Sequence, residues 1–76
     1  MKFSQNHIDE LNLLLQFDLG STSKGIKVHS DASPLIQDAI NSLHRKGLCT
    51  QPDGGYLTHE GIELAECIHR IHRILE

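Results

Sequence analysis

Leu43-His44-Arg45-Lys46-Gly47-Leu48-Cys49-Thr50-Gln51-Pro52-Asp53-Gly54-Gly55-Tyr56-Leu57-Thr58-His59-Glu60-Gly61 is the stretch on which the fold turns. It opens on the last turn of a helix. Gly47 suits the left-handed position just past a helix end, and Leu48 is then placed to fold back on Leu43, the apolar contact of a Schellman ending. Two short runs, Leu48–Gln51 and Gly55–Thr58, flank Pro52-Asp53-Gly54. Proline then aspartate suit a type I turn, and Gly54 suits the left-handed residue that closes a bulged hairpin loop. Thr58 caps a following helix with Glu60 near its positive end. Gly61 in the first turn of that helix lowers propensity, which points to close backbone packing there.

Upstream, residues 34–46 read as the helix that ends at Gly47. Ser33 is its N-cap and Pro34 sits at the first helical position, where a missing N–H costs nothing. Leu35, Ile36, Ala39, Ile40 and Leu43 form the apolar arc, with Gln37, Asn41, His44 and Arg45 opposite. Before it, Ile26-Lys27-Val28-His29 alternates and is β-branched, which predicts a short strand pairing with the hairpin. Residues 20–25 form a connection. Residues 6–17 read as a first helix capped by Asn6, with Asp9 and Glu10 favouring its dipole. Ile8, Leu11, Leu15 and Leu19 recur on one face, while Leu13 and Phe17 fall nearly opposite. A helix apolar on two sides is buried on two sides, so either the last helix or a second copy of the chain covers the remainder. Residues 59–75 form that last helix, with Leu64, Cys67, Ile68, Ile71, Ile74 and Leu75 on the core arc and Glu63, Glu66, His69, Arg70 and Arg73 on the polar one.

The chain of 76 residues has room for one domain, residues 1–76, and not for a cofactor domain beside a substrate domain. At 38% hydrophobic and 22% charged it is globular. The three aromatic residues are too few to stack unpaired bases, which argues against single-strand readers. Two cysteines do not make a disulfide scaffold. The opening residues turn polar at once, and Leu13-Leu14-Leu15 is far too short to cross a bilayer. The expected compartment is the cytoplasm.

Order and spacing together resemble the winged-helix domains of bacterial transcriptional regulators. Leu43–Leu48 is similar to the end of a recognition helix, and Asp53–Gly61 to the wing and the start of the next helix, in the MarR and PadR families. The strings Gly25-Ile26-Lys27-Val28-His29 and Asp53-Gly54-Gly55-Tyr56-Leu57-Thr58 also resemble a small family of uncharacterised short bacterial proteins. The resemblance implies an α+β winged-helix-like domain: three main helices, and a small antiparallel sheet made of the hairpin and one short strand. Two features depart from the pattern. Asp31-Ala32-Ser33 leaves room for one turn where the first helix of a helix-turn-helix belongs. The wing tip carries Asp53, where contact with a phosphate backbone favours Arg or Lys.

Two function classes follow. Net charge is -3, but residues 24–47 alone are positive, with Lys24, Lys27, Arg45 and Lys46 against Asp31 and Asp38. The resemblance implies duplex DNA as partner and a regulatory or accessory role. Gln37 and Asn41 would face adenine and Arg45 guanine, while Lys24, Lys27, His44 and Lys46 complete the contacting surface. The alternative is a protein-protein interaction adaptor on the same scaffold. A DNA binder gathers these cations on one surface, whereas an adaptor exposes an apolar patch. A homodimer is expected in either case. No catalytic cluster, metal site, cofactor or small-molecule substrate is expected. Cys49 and Cys67 have no adjacent activating base, and His59, His69 and His72 do not converge with Cys67 as a tetrahedral zinc site requires.

Overall fold

The structure is a computed structural model that describes residues 1–21 and 23–76. Three helices, α1 (Gln5–Gln16), α2 (Pro34–Arg45) and α3 (His59–Leu75), surround strands β1 (Ile26–Lys27), β2 (Cys49–Gln51) and β3 (Gly54–Leu57). The sheet is open and antiparallel in the order β1-β3-β2. The fold is α+β and compatible with a winged helix. Of the connection 20–25, Thr22 lies outside the described residues.

The end of α2 forms as its sequence predicts. Gly47 takes a φ of 77°. The Leu48 N–H donates to the Leu43 carbonyl and the Gly47 N–H to that of His44, both at 3.0 Å, the two bonds of a Schellman motif. The third strand is present too. Ile26 and Lys27 oppose Gly55 and Gly54, and the Val28 N–H extends the ladder by donating to the Asp53 carbonyl at 2.7 Å. The hairpin is bulged, with Gly54 at positive φ (127°) as expected and Gly55 (74°) beside it. The register shift falls between Cys49 and Gln51. The close approach expected at Gly61 is there: a Cβ on it would collide with the Leu48 carbonyl oxygen.

Leu13, Leu14, Phe17, Ala39, Ile40, Leu43, Cys49 and Ala65 form one buried cluster. Four assignments are corrected here. Ser4, not Asn6, caps α1: its Oγ accepts from the His7 N–H while its own N–H donates to His7 Nδ1, both at 3.2 Å. On α1 the buried arc is Glu10-Leu13-Leu14-Phe17, whereas Ile8 is exposed and Leu11 and Leu15 are half-buried. The apolar residues cover more than half of this helix, and contact with α2 selects the 10–13–14–17 side. On α3 the buried positions are Gly61 and Ala65, flanked by half-buried Ile62, Ile68 and His69. Cys67 is therefore exposed instead of in the core, and Leu64 is 38% exposed. Gly61 against the Leu48 carbonyl rotates α3 so that its small residues face inward. Leu35, assigned to the core arc of α2, is exposed as well.

Candidate functional site

The outer face of α2 starts at its cap. The Ser33 Oγ accepts from the Ile36 N–H at 3.4 Å, and the chain before it turns tightly, with the Ala32 N–H donating to the His29 carbonyl. Gln37 holds that turn: its Nε2 donates to the carbonyls of Ser30 (2.8 Å) and Ala32 (2.6 Å). One turn on, Asn41 Nδ2 donates to the Gln37 carbonyl at 2.8 Å. Both amides expected to face adenine are thus bonded to their own backbone. This signal was within reach of the sequence, since Asn in a helix competes for nearby carbonyls and Gln is long enough to reach back past a proline start.

The cations divide among separate places. Lys24 lines a small cleft with Phe17, Asp18, Leu19, Leu57 and Ile62. Lys27 is exposed on β1, His44 is half-buried and Arg45 is exposed. Lys46 reaches α1, where its Nζ lies 3.0 and 2.9 Å from the two carboxylate oxygens of Glu10. Glu10 Oε1 also accepts from Asn6 Nδ2 (2.8 Å) and Ser42 Oγ (3.2 Å). The Glu10 side chain is only 7% exposed and that of Lys46 49%. This is a fixed ion pair tying α1 to α2, with the hydrogen bonds a buried carboxylate requires. The sequence assigns Glu10 a dipole role instead. A hint lay in its spacing, three, four and seven residues before Leu13, Leu14 and Phe17. The partners Ser42 and Lys46, 32 and 36 residues away, carry no local signal.

Between Glu10 and Lys46 and the side chains of Phe3, Leu11, Leu48 and Leu64 lies a cleft of ≈ 200 Å³. A second groove, of ≈ 190 Å³, runs between α1 and the far half of α3, lined by Ile8, Leu11, Leu15, Ile68, Ile71 and Leu75. Alongside it Ile71 is 51% and Ile74 68% exposed. The half-covered side chains Leu11 and Leu15 of α1, with Ile8, and Ile68, Ile71 and Leu75 of α3 thus line one apolar groove.

The thiols differ. Cys49 is buried and donates to the Gln51 carbonyl at 3.4 Å. Burial pushes it above its ordinary pKa; that bond works the other way and the nearby Asp53 charge adds to the rise. It is an inert core residue. Cys67 is open to solvent on α3. Among the described residues no three His, Cys, Asp or Glu side chains converge to hold a metal ion, and no helix is long and apolar enough to cross a membrane. His59 and His72 instead pair along α3 with Glu63 (3.0 Å) and Glu76 (3.6 Å).

A family model described as a family of unknown function (DUF5669) matches residues 1–76. No curated protein and no solved structure matches the chain.

Proposed function

Since the chain belongs to DUF5669, a family of unknown function, its role has to be read from its own surface, and we propose a protein-interaction module on a winged-helix-like scaffold. The observation that carries this is the exposed apolar surface of α3 and α1, with Leu64, Ile71 and Ile74 uncovered beside Ile8. Ile8 and Ile71 share the groove between the two helices, and exposed apolar side chains grouped in this way mark a contact with another protein. The first partner is a second copy of the chain, giving a homodimer, and the free thiols suit the reducing cytoplasm.

Duplex DNA, the partner implied by the MarR and PadR resemblance, is supported less well. Gln37, Asn41 and Lys46 are engaged within the molecule, and the turn between β2 and β3 offers Asp53. Freeing Lys46 for a phosphate would leave a buried carboxylate short of its cation, a cost set against every such contact. The test is an amide-resonance titration of the protein with mixed duplex fragments at low salt. The expected result is no movement of Asn41, His44 or Arg45. Shifts confined to α2, abolished by Arg45→Ala with Lys46→Ala, would overturn the adaptor reading in favour of DNA.

A further inference from the structure

The outward stripe of α3 is Leu64, Cys67, Ile71 and Ile74, at steps of three, four and three, all exposed. That is the spacing of a helix-pairing seam. One residue earlier at each step runs a second stripe, Glu63, Glu66, Arg70 and Arg73, acidic in the first half and basic in the second. Two copies laid parallel about a two-fold would put the two charged stripes on opposite sides of the seam, each beside the Ile68 and Leu75 flank of the other copy, and would pair no carboxylate with an arginine. Laid antiparallel, Glu63 and Glu66 of one copy come beside Arg73 and Arg70 of the other, and the two-fold relation makes every such pair twice. Resting on the protein-contact reading above, we propose that two copies of this chain pair through α3, antiparallel, crossing between Ile68 and His69.

The surface area agrees with such a partner. A folded monomer of 8.5 kDa exposes about 4,650 Å² by the usual mass scaling. This chain exposes 5350 Å². The excess of about 700 Å² is close to the roughly 800 Å² that each partner buries in a standard interface. The exposed large apolar residues include Met1 and Phe3 and, on the far half of α3, Ile71, Ile74 and Leu75. Ile68 and Leu75, on the side toward α1, carry the seam into the α1 groove.

Cysteine placement tests both the pairing and its direction. In a Cys67→Ser background, Leu64→Cys and Ile74→Cys chains are made separately, mixed, and treated with a short bismaleimide; buried Cys49 does not react. Antiparallel pairing with 64 opposite 74 separates two copies of position 74 by about 15 Å along the axis, at 1.5 Å per residue, so the expected product is the mixed 64–74 dimer alone. Sedimentation of the wild type is expected to give twice the monomer mass, falling on addition of salt as the Glu–Arg pairs are screened. Ile71→Arg is expected to return the monomer with unchanged helix content by circular dichroism. Cross-links from 74 to 74, or a wild type that sediments as a monomer at high micromolar concentration, would overturn the pairing. The protein-contact reading fails separately, through the duplex titration.

Discussion

Leu43 is 1% exposed and carries two duties, filling the core and accepting the Leu48 N–H that ends α2. Truncation to alanine leaves a cavity and is expected to cost about 2–5 kcal/mol in urea denaturation. A single core in a chain this short supplies about 3–5 kcal/mol in all, so Leu43→Ala should leave little net stability, seen as an unfolding midpoint moved to low urea. Cys49 gives a second outcome. Its pKa is raised in the folded state, so above the unfolded thiol's value, near 8.5, the folded chain holds a proton the unfolded chain has lost. Stability is then flat below about pH 8.5 and declines as pH rises toward the folded value. Chemical denaturation across that range should show the decline, and Cys49→Ala should remove it. With a thiol reagent on the folded Ile71→Arg chain, where the α3 seam is open, Cys67 should react first and Cys49 only on unfolding.

At the scale of elements, Thr58 joins two of them. Its Oγ accepts from the Gly61 N–H (3.1 Å) to cap α3 and donates to the Gly47 carbonyl (2.6 Å) at the end of α2. Its N–H also donates to the Leu48 carbonyl at 3.1 Å. Thr58→Ala keeps the last bond and loses the other two, so thermal or urea unfolding should show a loss of about 1–2 kcal/mol, above an isolated exposed cap. Punctuation of this sort was legible because it is local: Ser33-Pro34, Lys46-Gly47-Leu48, Pro52-Asp53-Gly54 and Thr58 each fix a boundary through neighbouring atoms. The faces were less legible. On α1 and α3 apolar side chains cover so much of the circumference that periodicity cannot choose the buried arc. The choice was made by Gly61 against the Leu48 carbonyl and by Glu10 against Lys46, both contacts between elements. The candidate site shared that limit at Lys46. Lys46 has phosphate-reading chemistry as a residue type, and only its distant neighbour Glu10 reveals that it is engaged, whereas the amides of Gln37 and Asn41 bond to carbonyls close by in the chain.

The whole molecule is a flattened body with extents of 33 × 32 × 20 Å and a radius of gyration of 11.8 Å, against about 11.4 Å for a globular chain of this length. Its backbone is therefore compact, and the surplus surface comes from uncovered side chains. Association would cover them, and whatever binds the folded state alone raises its stability by mass action. The midpoint of thermal unfolding should accordingly rise with protein concentration over a hundredfold range. The Ile71→Arg chain should unfold at one temperature throughout.

Gly25, Gly54 and Gly61 each lie where a Cβ would meet a carbonyl oxygen of another segment, those of Gly55, Ile26 and Leu48 respectively. At Gly54 the positive φ adds a backbone conformation that other residues adopt at a cost. Relief there would require moving a strand or a helix, not a side chain. Across a lineage that keeps this architecture, these three sites are thus closed to drift, while the exposed positions of α2 are free to diversify. A saturation library selected only for folding should return glycine at 25, 54 and 61 and near-random residues at 38 and 45, separating the scaffold's inheritance from whatever its surface has been selected to do.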